Sequence, residues 1–388
     1  MARLTRDRLT WLIYLQLGVY GYFLYGFGPT LPLLRDEQGI SRTLSGLHGT
    51  ALAVGPLVAG LLGTRLVARW GRSAALWGGV FLVALAVVVY VSTTALPLTL
   101  FGAFLGTLGG SFLINAVAAT LTDHHGPAGP AAISEGNAVA AAAGLVAPAM
   151  IGLATLTPVG WRAGLLLVVP MVLVLALTMR GTPIPEPTDI PTHHQGSTRL
   201  PARYWISWGV LACFISVEFC LTLWAADILH SRDGLSHGAA AASISGLVAG
   251  MFVGRLGGAR LALRFGVDTL LYGALGLAGA GFLLFWASAA PPLALLGLFV
   301  CGLGVSLQYP LGIARAIDAS DGRPDLAAAR ASLAAALAVG VGPFVLGALA
   351  DQVGLHLAFL VVPVLLTAAA VGVRVGGRSR YDAAVPAS

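Results

Sequence analysis

Apolar residues run through this chain in long blocks separated by short polar breaks, and the blocks have the length of membrane crossings. A helix that spans a bilayer needs about 20 predominantly apolar residues. On that measure the pattern predicts twelve spans, at 9–34, 44–67, 72–93, 96–121, 131–154 and 161–180, then at 204–229, 237–262, 267–289, 291–316, 325–350 and 356–375. Between the two sets of six lies 181–203, which holds Pro183, Pro185, Pro187, Pro191 and Pro201. Proline lacks a backbone donor and resists helix, so this stretch reads as a polar linker. The expected organisation is an all-α polytopic membrane protein, with one six-helix bundle over 1–180, a proline-rich linker over 181–203, and a second bundle with a short tail over 204–388. The first apolar run follows a short basic segment and has no small-residue cleavage site at the right distance. It is read as the first span and not as a removable signal peptide.

Composition agrees and narrows the function. Of 388 residues, 57% are hydrophobic and only 10% charged, against about 25% charged in an ordinary soluble domain. A soluble enzyme and a disordered scaffold are excluded. The isoelectric point near 9.6 would suit a nucleic-acid partner, but the placement of the arginines explains it differently. All 22 basic residues are arginine. With a cytoplasmic N-terminus, sixteen flank the cytoplasmic ends of spans and four (Arg35, Arg42, Arg162 and Arg232) flank the outer ends. That bias places both termini in the cytoplasm of a cell-membrane protein. Charge is therefore a topology signal, and no nucleic-acid partner is expected. Cys213, Cys220 and Cys301 all fall in apolar stretches without metal spacing, and no metal or cofactor is expected. The pairs His124-His125 and His193-His194 read as solvated loop residues, because no third ligand stands nearby. No lysine follows a glycine-rich loop, so an ATP-driven pump is excluded within this chain.

The two halves match without a gap at an offset of 195 residues. Gly63-Thr64-Arg65-Leu66-Val67-Ala68-Arg69-Trp70-Gly71 returns as Gly258-Ala259-Arg260-Leu261-Ala262-Leu263-Arg264-Phe265-Gly266, and Pro148 pairs with Pro343. Parallel six-helix repeats suit a secondary transporter with its solute site between the halves near the bilayer midplane. The loop after the second span resembles the signature of the major facilitator superfamily, roughly G-x-L-A-D-R-x-G-R. Leu66, Arg69, Gly71 and Arg72 match it, and Arg260, Arg264 and Gly266 echo it in the second half. The sequence departs from that pattern at Thr64 and at Ala68, where the family carries an acid that helps latch the cytoplasmic side. The latch is therefore expected to be built differently here. The fourth span has no basic residue, and the drug-antiporter ending G-P is present only as Ala147-Pro148 in the fifth span, reading better as Gly340-Val341-Gly342-Pro343 in the eleventh.

The resemblance implies that spans one, four, seven and ten line a central cavity. Ionisable residues at membrane depth are costly, about 2.5–3.5 kcal/mol each on the insertion scale, and are functional suspects by default. Glu218, near the middle of the seventh span, is the leading one. An apolar setting favours its neutral form, which suits a group that exchanges a proton or binds a cationic solute; a structural carboxyl is the alternative. Arg255 in the eighth span cannot discharge and needs an anion, from the protein at a gate or from the solute, unless it snorkels to the interface. It lies beside the stripe Gly250, Gly254 and Gly258, which reads as a packing seam. Glu135 and Arg330 are repeat-related and lie near the cytoplasmic ends of the fifth and eleventh spans. They suggest gate salt bridges; the resemblance implies that the fifth and eighth spans meet across the halves, which makes Arg255 or Arg260 the preferred partner for Glu135, with pairing inside one half the alternative. Uncharged cavity candidates are Gln16, Tyr20 and Tyr25 in the first span, Asn115 in the fourth, and Gln308 and Tyr309 in the tenth. Such polar groups also serve as interhelical hydrogen bonds, worth about 0.6 kcal/mol on average.

The sequence thus points to secondary active transport of a small organic solute by a monomer in the bilayer, with protons as the coupled ion. An uncoupled facilitator of the same fold and a membrane sensor without flux are the alternatives, and no catalytic residues are expected.

Overall fold

A computed structural model describes residues 4–186, 199–261 and 264–377. In a bilayer the backbone of a lone apolar segment satisfies itself only as a helix, and the described residues fold as helices and turns without strands. Helix α1 runs over Arg8–Gln38. The next run, Arg42–Val91, is broken at Gly71, and we label its two parts α2 and α3. There follow α4 (Leu96–His125), α5 (Gly129–Ala154), and α6, which starts as Trp161–Leu166 and continues as Val168–Met179. In the second half come α7 (Ala202–Ser231), α8 (His237–Leu261), α9 (Val267–Ala287), α10 (Pro291–Asp318) and α11 (Pro324–Val353). The last, α12, starts as Leu355–Ala358 and continues as Val361–Val375. Each bundle has a near end, where its first helix starts, and a far end opposite.

Eleven of the helices are long and apolar enough to cross a membrane by length and composition. The twelfth, α1, is 31 residues long, ample for a span, but Tyr14, Gln16, Tyr20, Tyr22 and Tyr25 dilute its hydropathy. Polar atoms within a span mark places where the helix meets protein instead of lipid, and α1 is buried along most of its length.

The chain groups into two compact units. One comprises Met1–Gly39 with Ala51–His193, and the other Ile40–Thr50 with His194–Ser388. The first turns of α2 thus belong to the second unit. Within that unit the glycine stripe of α8 is a packing seam: a Cβ at Gly250 would sit 2.0 Å from the Phe299 carbonyl oxygen, and one at Gly254 2.2 Å from Ser306 Oγ. Only bare backbone lets α8 and α10 approach this closely.

Candidate transport site and gates

Glu218 sits at mid-length in α7, half-buried, and its backbone carbonyl accepts Thr222 Oγ at 2.8 Å. Tyr309 on α10 is 43% exposed and within electrostatic reach of the Glu218 carboxylate. An acid of the seventh helix and a phenol of the tenth thus lie within electrostatic reach of each other. Arg255 is exposed on α8. Gln308 turns into the interior of its bundle at 1% exposure, and neither amide atom has a hydrogen-bond partner among the described residues.

In the first unit Gln16 behaves the same way, at 0% exposure with both amide atoms unpartnered among the described residues. Tyr20 lies flat on α4, where a Cβ at Gly110 would sit 1.8 Å from its ring, and Tyr25 covers Gly144 of α5. Asn115 is exposed on α4.

The near end of the first unit is tied by charges. Of the two readings of Glu135, pairing within its own half is the one seen inside this unit. Its carboxylate is gripped by Arg6, with Nε donating at 2.9 Å and a terminal nitrogen at 2.6 Å, and Tyr14 Oη adds a bond at 3.3 Å. The reason is the fork of the guanidinium, which matches a carboxylate with two parallel bonds. The pair His124-His125, expected in a solvated loop, lies on a helix, with His124 exposed and His125 half-buried. Both residues close the last turn of α4, where His124 Nε2 meets Asp7 at 2.7 Å and His125 Nε2 meets Thr10 Oγ at 2.9 Å. Asp7 in turn caps α1, accepting from Thr10 N at 2.9 Å and Thr10 Oγ at 2.6 Å. The pair His193-His194 lies outside the described residues.

The signature loop turns at Gly71, whose φ of 79° is left-handed and favours glycine. A carboxylate from the linker fills the concavity: Glu186 accepts the Arg72 N–H at 2.7 Å, and a Cβ at Gly71 would lie 2.5 Å from it. The Arg72 guanidinium reaches Asp123 at the end of α4, at 2.6 Å. A loop without an acid at Ala68 thus receives acids from α4 and the linker. Arg69 lies over the exposed Trp70 ring at 5.7 Å. In the second copy Arg264 is exposed and Gly266 is the N-cap of α9. The side chains of Arg65 and Arg260 lie outside the described residues. Arg330 is half-buried, and its carbonyl accepts Trp208 Nε1 at 2.9 Å.

Sequence reasoning missed a cluster at the far end of the second unit. Arg42, read as a topology flank, donates from Nε at 2.8 Å to Asp227 on α7, whose side chain is 0% exposed. Asp351 at the end of α11 caps α2, accepting from Arg42 N at 3.0 Å, Thr43 N at 2.7 Å and Thr43 Oγ at 2.6 Å. Further in along these helices, Thr50 Oγ donates to the Gly340 carbonyl at 3.0 Å and Trp224 Nε1 to that of Pro343 at 3.0 Å. The signal for Asp227 was present, an acid inside the apolar run Leu223-Trp224-Ala225-Ala226-Asp227-Ile228-Leu229.

A family model described as Major Facilitator Superfamily matches residues 13–266. The chain belongs to that superfamily. An uncharacterized MFS-type transporter of Yersinia pestis is 25% identical over 372 residues, covering 91% of this chain and 93% of its own. Among solved structures, a D-xylose–proton symporter gives a TM-score of 0.76 at 15% identity, covering 98% of this chain and 99% of its own. A nucleoside transporter gives 0.75 at 14% identity, covering 95% and 98%. The fucose:proton symporter of E. coli gives 0.64 at 18% identity, covering 96% and 99%. These likenesses fix the fold: the protein is a multi-pass membrane transporter of the superfamily.

Proposed function

We propose that this transporter carries a small organic solute across the cell membrane by alternating access of its two halves, coupled to protons, with the near ends and both termini in the cytoplasm. The observation that carries the reading is Glu218, an acid half-buried at mid-length in α7 and within electrostatic reach of Tyr309. Mid-depth is where this architecture places solute and coupling-ion sites, and an ionisable group there needs a functional reason. Glu218 binds the proton, or the cationic part of a solute, with the Tyr309 ring as an apolar and hydrogen-bonding wall. Tyr25, Asn115 and Arg255 offer further polar contacts. Gln16 and Gln308 act from within their bundles. The proton symporters among the solved relatives support coupling, and the arginine bias supports the orientation.

The test is proton flux in proteoliposomes against a panel of cationic, anionic and neutral solutes. One solute is expected to move protons with it, and Glu218→Gln is expected to abolish coupled accumulation. Accumulation that survives Glu218→Gln removes that residue from the mechanism. Solute exchange without any proton movement in the parent protein points to an uncoupled facilitator.

A further inference from the structure

The first unit carries an apolar groove apart from its polar candidates. It has a volume of about 640 Å³ and lies between α1, α5 and α6, lined by Leu15 and Val19, by Val146 and Met150, and by Met171 and Val174. Two of its three walls are locked together, since a Cβ at Gly21 of α1 would sit 2.3 Å from the Ala140 carbonyl of α5. Leu167 and Thr178 of α6 both line it, and the stretch between them is about 16 Å of helix. That is the depth of one leaflet, half of a hydrocarbon core about 30 Å thick. The two hydroxyls along the groove are already engaged. Tyr22 Oη donates to the Gly164 carbonyl at 2.7 Å, and Thr178 Oγ to that of Val174 at 2.7 Å. The walls therefore suit an apolar chain and offer little to a polar molecule.

The near mouth is different. Arg8 is exposed and donates from a terminal nitrogen to the carbonyl of Thr178, a wall residue, at 2.6 Å. Arg180, two residues further along, is exposed as well. Neither has a carboxylate partner among the described residues, whereas Arg6 nearby in the chain is neutralised by Glu135. Trp11, one turn along α1 from Arg8, is 45% exposed, as suits a tryptophan at headgroup level. The second unit supplies a contrast. Its groove between α7 and α12 is lined by Ile206, Val364 and Val371. Arg203, the repeat counterpart of Arg8, is paired there with Asp321, and Arg374 is exposed.

We propose that the groove of the first unit binds an anionic phospholipid of the near-end leaflet. One acyl chain lies along α1, α5 and α6, and the phosphate is held by Arg8 and Arg180. Guanidinium groups match phosphate oxygens with parallel bonds, and basic pockets between spans recognise lipid headgroups in this way. A phosphate at this mouth joins the start of α1 to the end of α6, extending the tie that Arg8 already makes to Thr178. The site depends on the bilayer setting, and on neither the solute nor the coupled ion.

The experiment uses the full chain, purified in detergent, stripped of lipid, and offered dioleoyl phosphatidylglycerol or dioleoyl phosphatidylcholine. The chains of the two lipids are the same and their net charges differ. Retained lipid is counted by native mass spectrometry, and stabilisation is read by thermal unfolding. Phosphatidylglycerol is expected to be retained severalfold better than phosphatidylcholine and to raise the unfolding temperature. Arg8→Gln combined with Arg180→Gln is expected to bring its retention down to that of phosphatidylcholine. Arg8→Lys combined with Arg180→Lys keeps both charges and is expected to keep most of the retention. Val146→Trp, which fills the groove and leaves both arginines in place, is expected to lower retention. Arg374→Gln, at the second groove, is expected to leave it unchanged. Equal retention of the two lipids by the parent overturns the proposal, as does a glutamine pair that holds phosphatidylglycerol like the parent. Retention that is unchanged in Val146→Trp, or lost in Arg374→Gln, places the lipid elsewhere and overturns it too. Glycerophosphoglycerol, the same headgroup without chains, is expected to compete poorly; displacement of the lipid by it at equal concentration would make this a bare anion site and refute the groove.

Discussion

The two halves carry the same tie between helices with the charges exchanged. In the first, Arg72 at the start of α3 reaches Asp123 at the end of α4; in the second, Asp268 at the start of α9 reaches Arg315 at the end of α10. The residues are not repeat-equivalent, since Asp268 corresponds to Ser73 and Arg315 to Thr120. At the far ends the exchange falls on one position. Glu37 of α1 and Arg232 of α7 are equivalent, and so are the carbonyls of Val91 and Trp286 at the ends of α3 and α9. Each of those carbonyls accepts a guanidinium, from Arg162 of α6 at 2.9 Å in the first half and from Arg232 in the second. A positive group at a helix C-terminus answers the negative end of its dipole. Duplication has kept this task while the residue performing it moved to another helix.

The difference in burial makes the near-end comparison testable. Arg315 is 3% exposed and also donates to the Val373 carbonyl at 2.7 Å, whereas Asp123 is 54% exposed. Removing one partner of a buried pair strands a charge, at about 3–5 kcal/mol. Arg72 is itself buried, but its acid lies in solvent, where water can replace it, so that pair falls toward the roughly 0–1 kcal/mol of exposed pairs. Asp268→Asn is therefore expected to destabilise the protein by about 4 kcal/mol and Asp123→Asn by less than about 1 kcal/mol, read by thermal unfolding in detergent. Equal losses would show that the ties are energetically the same despite their burial.

The far ends predict a smaller contrast. Arg232 donates to carbonyls of Phe285, Trp286 and Ser288 and pairs with Asp233. Arg162 has one carbonyl, of Val91, and the Glu37 carboxylate. Arg232→Ala is expected to cost about 2 kcal/mol and Arg162→Ala about 1 kcal/mol, since each charge-assisted bond adds to a hub that leaves its carbonyls unpaired when lost. The reverse order in the same unfolding assay would mean that the Glu37–Arg162 pair, with Trp161 Nε1 also on Glu37 at 2.8 Å, outweighs the carbonyl cap.

These ties also mark where sequence reading stopped. The spans, the break at Gly71 and the repeat were legible because apolar run length, left-handed glycine and a fixed offset are properties of the string itself. The partner of Glu135 was not. Arg6 had been absorbed into the topology count, and the helix neighbours implied by the family resemblance favoured arginines of the other half. Arg42 was hidden in the same way, as a flanking charge, and Asp227 shows its burial only once α2 packs against α7. Backbone carbonyls are the deeper difficulty. Every residue has one, so nothing in the sequence singles out Val91 or Trp286 as an acceptor. The family pattern showed that Ala68 lacks its acid, yet only the fold shows Glu186 returning from the linker to Gly71.

The smallest contrast lies at the first helix of each half. Asp7 caps α1 with its side chain, while α7 starts after Pro201 without a side-chain cap. Partial burial works to raise the Asp7 carboxyl, but two bonds from Thr10 and the contact with His124 outweigh it and hold the group below its ordinary value. A depressed value means that the folded state binds the proton less readily than the unfolded chain. The stabilisation is therefore complete above the unfolded value, near 3.9, and is lost as pH falls through the folded one. Asp7→Ala is expected to cost about 1 kcal/mol at neutral pH, with the gap to the parent closing below about pH 4. Ala202→Asp, at the equivalent position of α7, is expected to give no matching gain, because that helix already starts at Pro201. Unfolding curves for both variants at pH 7 and pH 3.5 check this. A gap for Asp7→Ala that widens in acid would show that the carboxyl works in its protonated form, and that the first helix of each half is held by the same means.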